Sequence, residues 1–332
     1  MKKFTSFCGI DVSKDTLDYC IYHANNDKAI YKQITNDAES IKKVFSSSKF
    51  DNILFILEAT GNYSSKLIYG LKQLKRPCQV VNPLRSKAFM VAMGYNNKND
   101  KQAAYCLSKM GQQSNHNNLY EMPSKEIEMR KQQLSVLQSL IKQRLMLENQ
   151  IHAIKQLAII DQTAIECLEK ALEIIKEQIA IIEKKMYQPS KDKDFKAKKK
   201  LAQSVVGIGA KTAIALLIAT NGLNNFDNAN QLASFLGLTP YSHYSGSSVR
   251  KKGKITKHGS SQVRALLYMA TTSAIRYNKT CKDLFERLRK KGKPYKVAIV
   301  AVMRKLAVQV FACVKKQTMF DRDYHIDKKQ LS

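Results

Sequence analysis

The first β-structure of this chain is predicted at residues 6–22, which read SFCGIDVSKDTLDYCIY. Apolar residues run up to Asp11 and resume at Leu17, and the polar residues between them suit a tight connection, so the pattern predicts a β-hairpin. An aspartate inside an otherwise buried strand is costly unless it is paired, and a metal ion is its usual partner. Asp11 is therefore the first candidate metal ligand, with a turn-capping aspartate as the alternative.

The charge of the chain indicates a polyanionic partner. Its 332 residues include 56 Lys and Arg against 27 Asp and Glu, which gives a net charge of +29 at pH 7. Such a charge repels itself in the folded protein, and each phosphate that it neutralises releases counterions. Nucleic acid is therefore the leading partner, and an anionic membrane surface is the alternative. A hydrophobic content of 44% supports two or three packed domains and excludes wholesale disorder.

The cysteines and histidines argue against zinc and against disulfides. Seven cysteines are scattered without a C-x-x-C pair, which predicts reduced thiols in a cytosol, and the six histidines show no metal-ligand spacing. Any metal must then be held by carboxylates. The sequence suggests no apolar run of 18 residues and no signal peptide, so we expect a soluble cytoplasmic protein with no membrane partner.

The N-terminal third of the chain is predicted to form an α/β domain. A helix over residues 37–48 precedes a short apolar strand over residues 52–57. A second helix over residues 64–75 then precedes a strand that Pro83 ends. This alternation predicts at least one parallel strand pair. Glu58 stands where the first of these strands ends, a position typical of functional sites in open sheets.

Asp100 is predicted in the first turn of the next helix, facing back toward the sheet. Alone it would be explained as a helix-start carboxylate that the helix dipole favours. Three acids spaced as Asp11 on the first strand, Glu58 at a later strand end and Asp100 on a following helix have the layout of ribonuclease-H-like nucleases. These three carboxylates are therefore the candidate metal ligands.

Residues 124–186 are predicted to be helical and to contain a heptad seam. In the second half of this segment, apolar residues alternate spacings of three and four without a miss. They are Ile165, Leu168, Leu172, Ile175, Ile179, Ile182 and Met186. Such a seam is specific for a coiled coil or a helical hairpin, but an intramolecular pair and a dimerisation arm both stay open. Residues 161–163 suit a turn between the two helices, with Thr163 as the cap of the second.

Beyond Pro189 the sequence predicts a boundary and then a short helical motif. Residues 191–200 are interpreted as a charged linker. Gly207-Ile208-Gly209 between two helices suits a helix-hairpin-helix, whose exposed amides and following helix N-terminus can hold a backbone phosphate. A plain helical turn would show the same pattern, so both interpretations stay open.

The second unusual stretch is residues 235–260, which are rich in hydroxyls, glycines and cations and have little apolar content. A long segment of this kind is predicted to be an exposed loop or hairpin, and long ordered loops usually carry function. Its residue chemistry favours nucleic-acid binding, and the helix that follows places a further cation near its start. The candidate nucleic-acid-binding residues are Arg250, Lys251, Lys252, Lys254, Lys257 and Arg264, together with Gly207 and Gly209.

Taken together, these pieces resemble one family over nearly the whole chain. The matching motifs of the first half are Gly9–Lys14, Glu58–Gly61, Asn82-Pro83 and Lys98–Asp100. Those of the second half are Val206–Gly209, Gly237–Pro240, Ser245-Gly246 and Gly253–Gly259. In order, spacing and pairing they resemble the DEDD-type insertion-sequence transposases, the group that includes the Piv and MooV DNA invertases. The resemblance implies a RuvC-like N-terminal domain and a C-terminal transposase domain.

The resemblance also implies a mechanism and its partners. A structured bridge or seek RNA, encoded in the element's non-coding end, would guide the enzyme by pairing with donor and target DNA. Mg²⁺ would be held by Asp11, Glu58 and Asp100, and by motif match Ser245 of the C-terminal domain would be the nucleophile. Three further serines of the same stretch are alternatives: Ser242, Ser247 and Ser248. Protomers would assemble as a dimer of dimers with composite sites, in a bacterial cytoplasm and associated with the nucleoid.

The chain departs from the family pattern at one position. The pattern is D-x-x-D, two carboxylates one helical turn apart on one face. Asp100 is followed at that spacing by Ala103, and a methyl group cannot bind a metal. Either this copy has lost activity or Ala103 was introduced to trap a complex before cleavage, and the intact motifs elsewhere favour the second. The resemblance therefore implies a recombinase that binds nucleic acid but cuts poorly.

The sequence thus predicts three parts and leaves three functions in competition. The parts are a RuvC-like α/β domain (1–115), a coiled-coil or helical oligomerisation region (116–190), and a mostly α-helical domain with a helix-hairpin-helix-like motif and the serine (191–332). The first function is an RNA-guided recombinase. The second is a Holliday-junction or other structure-specific nuclease that uses water. The third is a basic nucleic-acid-binding scaffold without catalysis.

Overall fold

The computed structural model describes residues 4–59, 61–95, 99–116, 119–241, 244–245, 249–250, 254–256 and 259–322. The chain divides into two compact units, Met1–Met122 and Pro123–Ser332. This division falls close to the boundary predicted after residue 115. Nearly all of the segment 116–190 lies in the second unit, together with the C-terminal helices.

The first unit is built on a mixed sheet with the strand order β3-β2-β1-β4-β5. The strands are β1 (Ser6–Val12), β2 (Thr16–His23), β3 (Lys28–Thr35), β4 (Ile53–Glu58) and β5 (Cys78–Val81). β1 pairs antiparallel with β2, and β2 pairs antiparallel with β3. β4 runs parallel to β1, and β5 runs parallel to β4. The predicted hairpin and the predicted parallel pairing are both confirmed.

Helices cover both faces of this sheet. They are α1 (Ala38–Phe45), α2 (Ser65–Gln73), α3 (Pro83–Ala92) and α4 (Asp100–Gln113). On one face α1 and α2 enclose a buried aromatic cluster, in which the ring of Phe45 lies 5.2 Å from that of Phe50 and 5.3 Å from that of Phe55. On the other face Leu107 of α4 packs with Phe7, Tyr22, Leu54 and Ile56.

The second unit is mostly helical. Its helices are α5 (Lys125–Ile154), α6 (Gln162–Tyr187), α7 (Lys193–Ser204), α8 (Ala210–Ala219), α9 (Ala229–Phe235), α10 (Ser261–Tyr277), α11 (Lys279–Lys290) and α12 (Tyr295–Lys316). Its short strands are β6 (Pro240–Tyr241), β7 (Tyr244–Ser245), β8 (Val249–Arg250) and β9 (Lys254–Ile255). One apolar core joins the base of α5 and α6 to the helices that follow.

α5 and α6 form an antiparallel pair within one chain. Near the open end of the pair, the buried Arg130 donates hydrogen bonds to the carbonyl oxygens of Met186 and Gln188. Near the connecting loop, Lys155 donates to Glu169. The seam residues Ile165, Ile179 and Met186 are buried, and those between them are half-buried. The heptad seam therefore serves the intramolecular pair, the first of the two alternatives.

Two local expectations in this unit are wrong. Residues 191–200, interpreted as a linker, lie mostly in α7, which Asp192 caps and whose Phe195 and Ala202 are buried in the core. Thr163 is not the cap of α6, because the carboxylate of Asp161 accepts from the backbone amides of Thr163 and Ala164. In both places an aspartate starts the helix, as aspartate often does.

α12 is a long and mostly apolar helix, which Arg304 and Lys305 interrupt, so it does not contradict the expectation of no apolar run of 18 residues. Among the described residues it is long and apolar enough by composition to cross a membrane. However, 56% of its most apolar window is buried inside the unit. Ala298, Val302 and Leu306 are fully buried in the core. A core helix of a globular unit accounts for this composition.

Candidate functional site

Two of the predicted carboxylates, Asp11 and Glu58, occupy matching positions near the ends of neighbouring parallel strands. β1 and β4 are parallel and their register pairs Ile10 with Leu57, so Asp11 and Glu58 occupy the next positions on adjacent strands. Successive side chains of a strand point to opposite faces, and Ile10 and Leu57 belong to the core under α1 and α2. Asp11 and Glu58 therefore both face the side that α4 covers. We call this edge of the sheet the carboxylate end.

The direction of α4 brings the third carboxylate to the same end. A Cβ built on Gly9 would stand 2.1 Å from the carbonyl oxygen of Ala104, and one built on Gly111 would stand 3.3 Å from the ring of Phe7. The later part of α4 thus lies beside the start of β1, so the helix runs antiparallel to the strand. Its first residue, Asp100, comes one turn before Ala104 and hence toward the carboxylate end.

The predicted start of α4 at Asp100 is confirmed. The side chain of Asn99 caps the helix by accepting a hydrogen bond from the amide of Lys101.

The side chains around the carboxylate end differ in burial. Asp11 is only 8% exposed, Glu58 is half-buried, and Asp100 is exposed.

Ala103 lies next to Glu58. The two residues line one small pocket, and Ala103 itself is only 3% exposed. The remaining lining residues are Ser86, Phe89, Met90, Cys106, Leu107 and Met110. The hydroxyl of Ser86 donates to Glu58 Oε2 at 2.7 Å, which fixes one oxygen of the carboxylate. A carboxylate at position 103 would therefore enter the same space as Glu58.

The donors at this end suit a hard divalent cation in kind but fall short in number. Carboxylate oxygens are the ligands that Mg²⁺ prefers in proteins. Within the described ranges, however, no three Asp, Glu, His or Cys side chains are grouped closely enough to hold a metal ion. The fourth position of the D-x-x-D pattern carries the methyl group of Ala103 in the apolar pocket. The set of carboxylates that the sequence analysis predicted as metal ligands is therefore incomplete at this position.

Asp18 is a further acid at this end that the sequence analysis did not single out. The register of β1 and β2 places it directly opposite Asp11, and residues directly opposite share a face of the sheet. The side chain of Gln33 donates to both of its carboxylate oxygens, at 3.0 and 3.1 Å. The alternation Leu17, Asp18, Tyr19 on a strand could have indicated it, because it repeats the pattern around Asp11.

Ser245 lies on a hairpin of two nested ladders. The outer ladder pairs β6 with β9, with Pro240 opposite Ile255. The inner ladder pairs β7 with β8 and sets Ser245 opposite Val249. The loop or hairpin predicted here thus forms antiparallel β-ladders in its described residues, and Ser245 lies on the inner ladder. The alternative nucleophiles Ser242, Ser247 and Ser248 lie outside the described residues.

The predicted nucleic-acid-binding cations are spread over this hairpin and the helix after it. Arg250 and Lys254 occupy ladder positions opposite Tyr244 and Tyr241. Arg264 lies at the start of α10, and its Nη1 donates to the carbonyl oxygens of Leu236 and Gly259, so one side of its guanidinium holds the chain together. The remaining three, Lys251, Lys252 and Lys257, lie outside the described residues.

The two glycines of the predicted helix-hairpin-helix have different environments. Gly207 has a φ of +104°, and a Cβ there would stand 2.7 Å from the Cβ of Ala274, so this glycine allows α10 to pack closely. Gly209 is exposed, a Cβ there would meet open space among the described residues, and it begins α8. A packing role thus accounts for Gly207, whereas of these two glycines Gly209 presents an accessible amide at a helix start.

The cysteines are free, and all but Cys167 are buried. Burial raises the pKa of Cys78 and of Cys281 to about 11, and raises the pKa of Cys8 well above its usual value. These thiols stay protonated at neutral pH, and a thiolate is required for metal binding or nucleophilic attack. These three buried thiols are therefore poor metal ligands and nucleophiles at neutral pH.

Comparison with known families supports the two halves separately. A family profile described as a transposase, the DEDD transposase domain of IS110-type elements, matches residues 8–159. A second profile, described as the transposase IS116/IS110/IS902 family, matches residues 199–286. The first match contains the carboxylate end, and the second contains the Ser245 hairpin.

Known relatives resemble the chain over different shares of its length. A pilin gene-inverting protein of Moraxella bovis is 28% identical over 96% of this chain and 99% of the relative. A transposase for the insertion sequence element IS1111A of Coxiella burnetii is 23% identical over 94% of this chain and 90% of the relative. An IS110 protein of Streptomyces coelicolor is 25% identical over 36% of this chain and 29% of the relative.

Proposed function

Since this chain belongs to the IS110-type DEDD transposases and is a DNA recombinase, we propose that it works with carboxylate-held Mg²⁺, a serine nucleophile and a guide RNA. The observation that carries the proposal is the convergence of Asp11, Glu58 and the first turn of α4 at one end of one sheet face. The strand order β3-β2-β1-β4-β5 supports a RuvC-like or ribonuclease-H-like classification of this unit.

In this proposal Asp11, Glu58 and Asp100 hold the metal at the carboxylate end. Bound Mg²⁺ would neutralise charge on the scissile phosphate. Ser86 orients Glu58 through its 2.7 Å hydrogen bond, and α4 excludes water from the face below. Ala103 leaves the fourth donor missing, so we infer that this chain holds metal weakly and cuts poorly.

Ser245 is the proposed nucleophile. Its hydroxyl oxygen would attack the scissile phosphorus, forming an Oγ–P bond while the bond from phosphorus to a deoxyribose oxygen breaks. The serine proton passes to a base or to water, and the departing oxygen takes up a proton. The phosphodiester count is unchanged, so the covalent intermediate can be rejoined to another DNA end. A serine hydroxyl needs activation for this step.

The carboxylate end lies within the first unit alone, and this favours a second candidate function. A structure-specific nuclease needs only such an end and a water molecule as nucleophile. It would cleave DNA without forming a bond to protein. The two candidates therefore differ in one product, the covalent serine–DNA adduct.

Ala103→Asp provides the background for this test. We expect it to restore Mg²⁺-dependent cleavage and a DNA end attached to Ser245, mapped by mass spectrometry of tryptic peptides. Ser245→Ala in that background should abolish the adduct and leave DNA affinity unchanged, whereas Ser234→Ala on α9 is the matched control and should retain the adduct. Attachment at another serine would reassign the nucleophile, and cleavage without an adduct would establish the nuclease.

A guide RNA fits the charge of the chain. A net charge of +29 favours binding to a dense polyanion, and structured RNA is one. Copurification would test this proposal. Protein purified from cells that carry the whole element should retain one discrete RNA from its non-coding end, and a mixture resembling total cellular RNA would contradict guidance.

Assembly through the α5–α6 pair is supported by a second apolar stripe on α6. Ile174 and Ile181 are 58% and 56% exposed and are seven residues apart, as is Cys167 from Ile174. A stripe with this spacing can pack against a helix of a second protomer. We propose that this face joins two copies, as the first step toward a dimer of dimers.

The assembly proposal predicts the mass of the particle. Ile174→Asp with Ile181→Asp should lower the mass measured by light scattering and leave the helical content unchanged. Lys176→Asp with Ala180→Asp adds two aspartates on another exposed face of α6 and should leave the mass unaltered. An unchanged mass in the first variant would remove this stripe from the interface.

A further inference from the structure

The connection between α11 and α12 concentrates positive charge outside every site described above. Residues 287–296, the basic turn, read RLRKKGKPYK, with six cations and no acid. All residues from 289 to 297 are exposed. Within the described chain, none of the six cations lies within ion-pair distance of a carboxylate.

The shape of the basic turn is fixed by its own contacts. Nη1 of Arg289 donates to the carbonyl oxygen of Lys293 at 2.7 Å. The amide of Lys293 donates to the carbonyl oxygen of Leu288, and Gly292 takes the positive φ of 71° that the bend requires. The ring of Tyr295 meets the ring of Phe285 edge-on, with centroids 5.6 Å apart. These contacts hold the backbone of the basic turn in one conformation, which positions its cations.

Stabilisation of helix ends explains only part of this charge. Arg287, Arg289 and Lys290 lie in the last turn of α11, where cations favour the helix dipole. Lys296 lies in the first turn of α12, where the dipole disfavours a cation, and that turn contains no acid. Lys291 and Lys293 lie between the helices. Half of the cations thus add repulsion without stabilising the fold.

We propose that the basic turn binds the phosphodiester backbone of a nucleic acid, as a contact separate from the carboxylate end and the Ser245 hairpin. Unpaired cations repel one another in the free protein, and a backbone phosphate relieves that repulsion while releasing counterions. Backbone contacts carry no sequence information, so the turn contributes affinity and orientation. Duplex DNA and structured RNA share this chemistry, and the test distinguishes them.

The test compares two triple substitutions that change the net charge equally. Lys290→Gln, Lys291→Gln and Lys293→Gln alter the basic turn and leave the turn-forming Arg289 in place. Lys42→Gln, Lys43→Gln and Lys49→Gln alter exposed lysines in or after α1. Affinity is measured by fluorescence anisotropy on a duplex DNA and on a hairpin RNA across a salt series. The full-length chain is used, and thermal unfolding confirms that both variants fold.

We expect the turn variant to lower the slope of log K against log salt by about 2 to 3, because about 0.9 is lost for each phosphate contact on duplex DNA. The α1 variant should change the slope by less than about 0.5. Lys296→Gln alone should lower it by about 0.9. Loss on one probe only assigns the turn to that nucleic acid. Equal behaviour of the two triples on both probes would overturn the proposal.

Discussion

The carboxylate end and the Ser245 hairpin are positioned by different kinds of structure. Asp11 and Glu58 leave strands in the middle of a sheet that helices cover on both faces. Ser245 is positioned by a ladder of two residue pairs, nested inside another of two pairs. The first arrangement is specified by packing in a core, whereas the described support of the second is a set of backbone ladder pairs.

Substitutions in the two regions are expected to act differently. A change in the core under the carboxylate end must alter both stability and the placement of the metal ligands, because interiors are close-packed. A change on the hairpin can remove chemistry without altering the free energy of unfolding. Ser245→Ala is the limiting case, since it should abolish the adduct while the melting temperature stays constant.

Gly9→Ala is expected to have the largest effect on stability and on the carboxylate end. A Cβ at Gly9 would stand 2.1 Å from the carbonyl oxygen of Ala104 and 2.3 Å from the amide nitrogen of Ser108. Both are backbone atoms of α4, so the helix must move away from β1 and carry Asp100 with it. We expect a loss of about 3 kcal/mol in the free energy of unfolding, measured by urea denaturation.

Gly209→Ala is the matched control for that prediction. Gly209 has a φ of −80°, and among the described residues no atom lies within 4 Å of where its Cβ would stand, so the added methyl group meets open space at the start of α8. The substitution should cost less than about 1 kcal/mol, the scale of a weakened helix cap. If the two glycine variants were equally stable, α4 would not be locked against β1, and the placement of Asp100 would lose its physical basis.

The next effect concerns Ala103→Asp and the response of stability to metal. A carboxylate in the apolar pocket beside Glu58 is costly without a cation, and we expect a loss of about 2 kcal/mol in EDTA. Mg²⁺ at about ten times its dissociation constant should return about 1.4 kcal/mol. The measurement is the melting temperature with Mg²⁺ and with EDTA, and it needs no DNA.

Ala103→Asn separates charge from size in that experiment. The amide has nearly the same volume as the carboxylate but adds no negative charge beside Glu58. Its melting temperature should therefore respond to Mg²⁺ no more than that of the unsubstituted chain. An equal Mg²⁺ response in the Asp and Asn variants would mean that position 103 is not a metal ligand.

The sequence predicted the carboxylate end better than the surrounding elements. Asp11 and Glu58 interrupt or end strong apolar runs, so both the strands and the acids were visible. β3 was missed because it is an edge strand whose side chains are exposed or half-buried, and it shows only a weak apolar alternation. Asp18 lies on the predicted hairpin but was missed, because its position opposite Asp11 depends on the exact strand register.

One other error has a clear physical cause. The lysine-rich segment after Pro189 was predicted to be a linker. It forms α7 instead, because Phe195 and Ala202, about two turns apart on one face of the helix, are buried in the core. Tertiary burial outweighed the local impression of charge in this segment.

The smallest effect is expected from Ser86→Ala, which removes the hydrogen bond to Glu58 Oε2. Ser86 is buried, and its hydroxyl also contacts the carbonyl oxygen of Pro83. Alanine removes only the hydroxyl oxygen, so the substitution causes no clash. Groups that orient a metal ligand typically change metal affinity about 10-fold or more. In the Ala103→Asp background we therefore expect the Mg²⁺ midpoint of the thermal shift to rise about 10-fold.

Ser108→Ala tests whether that effect is specific to the contact with Glu58. Ser108 is also fully buried, but its hydroxyl donates to the carbonyl oxygen of Tyr105 within α4. It should lower the melting temperature slightly and leave the Mg²⁺ midpoint in place. Equal midpoints in the two serine variants would show that Glu58 needs no support from Ser86, because the sheet alone then orients the carboxylate. Packing of the sheet would then position Glu58 without help from a side-chain hydrogen bond, whereas Ser245 is positioned by backbone ladder pairs.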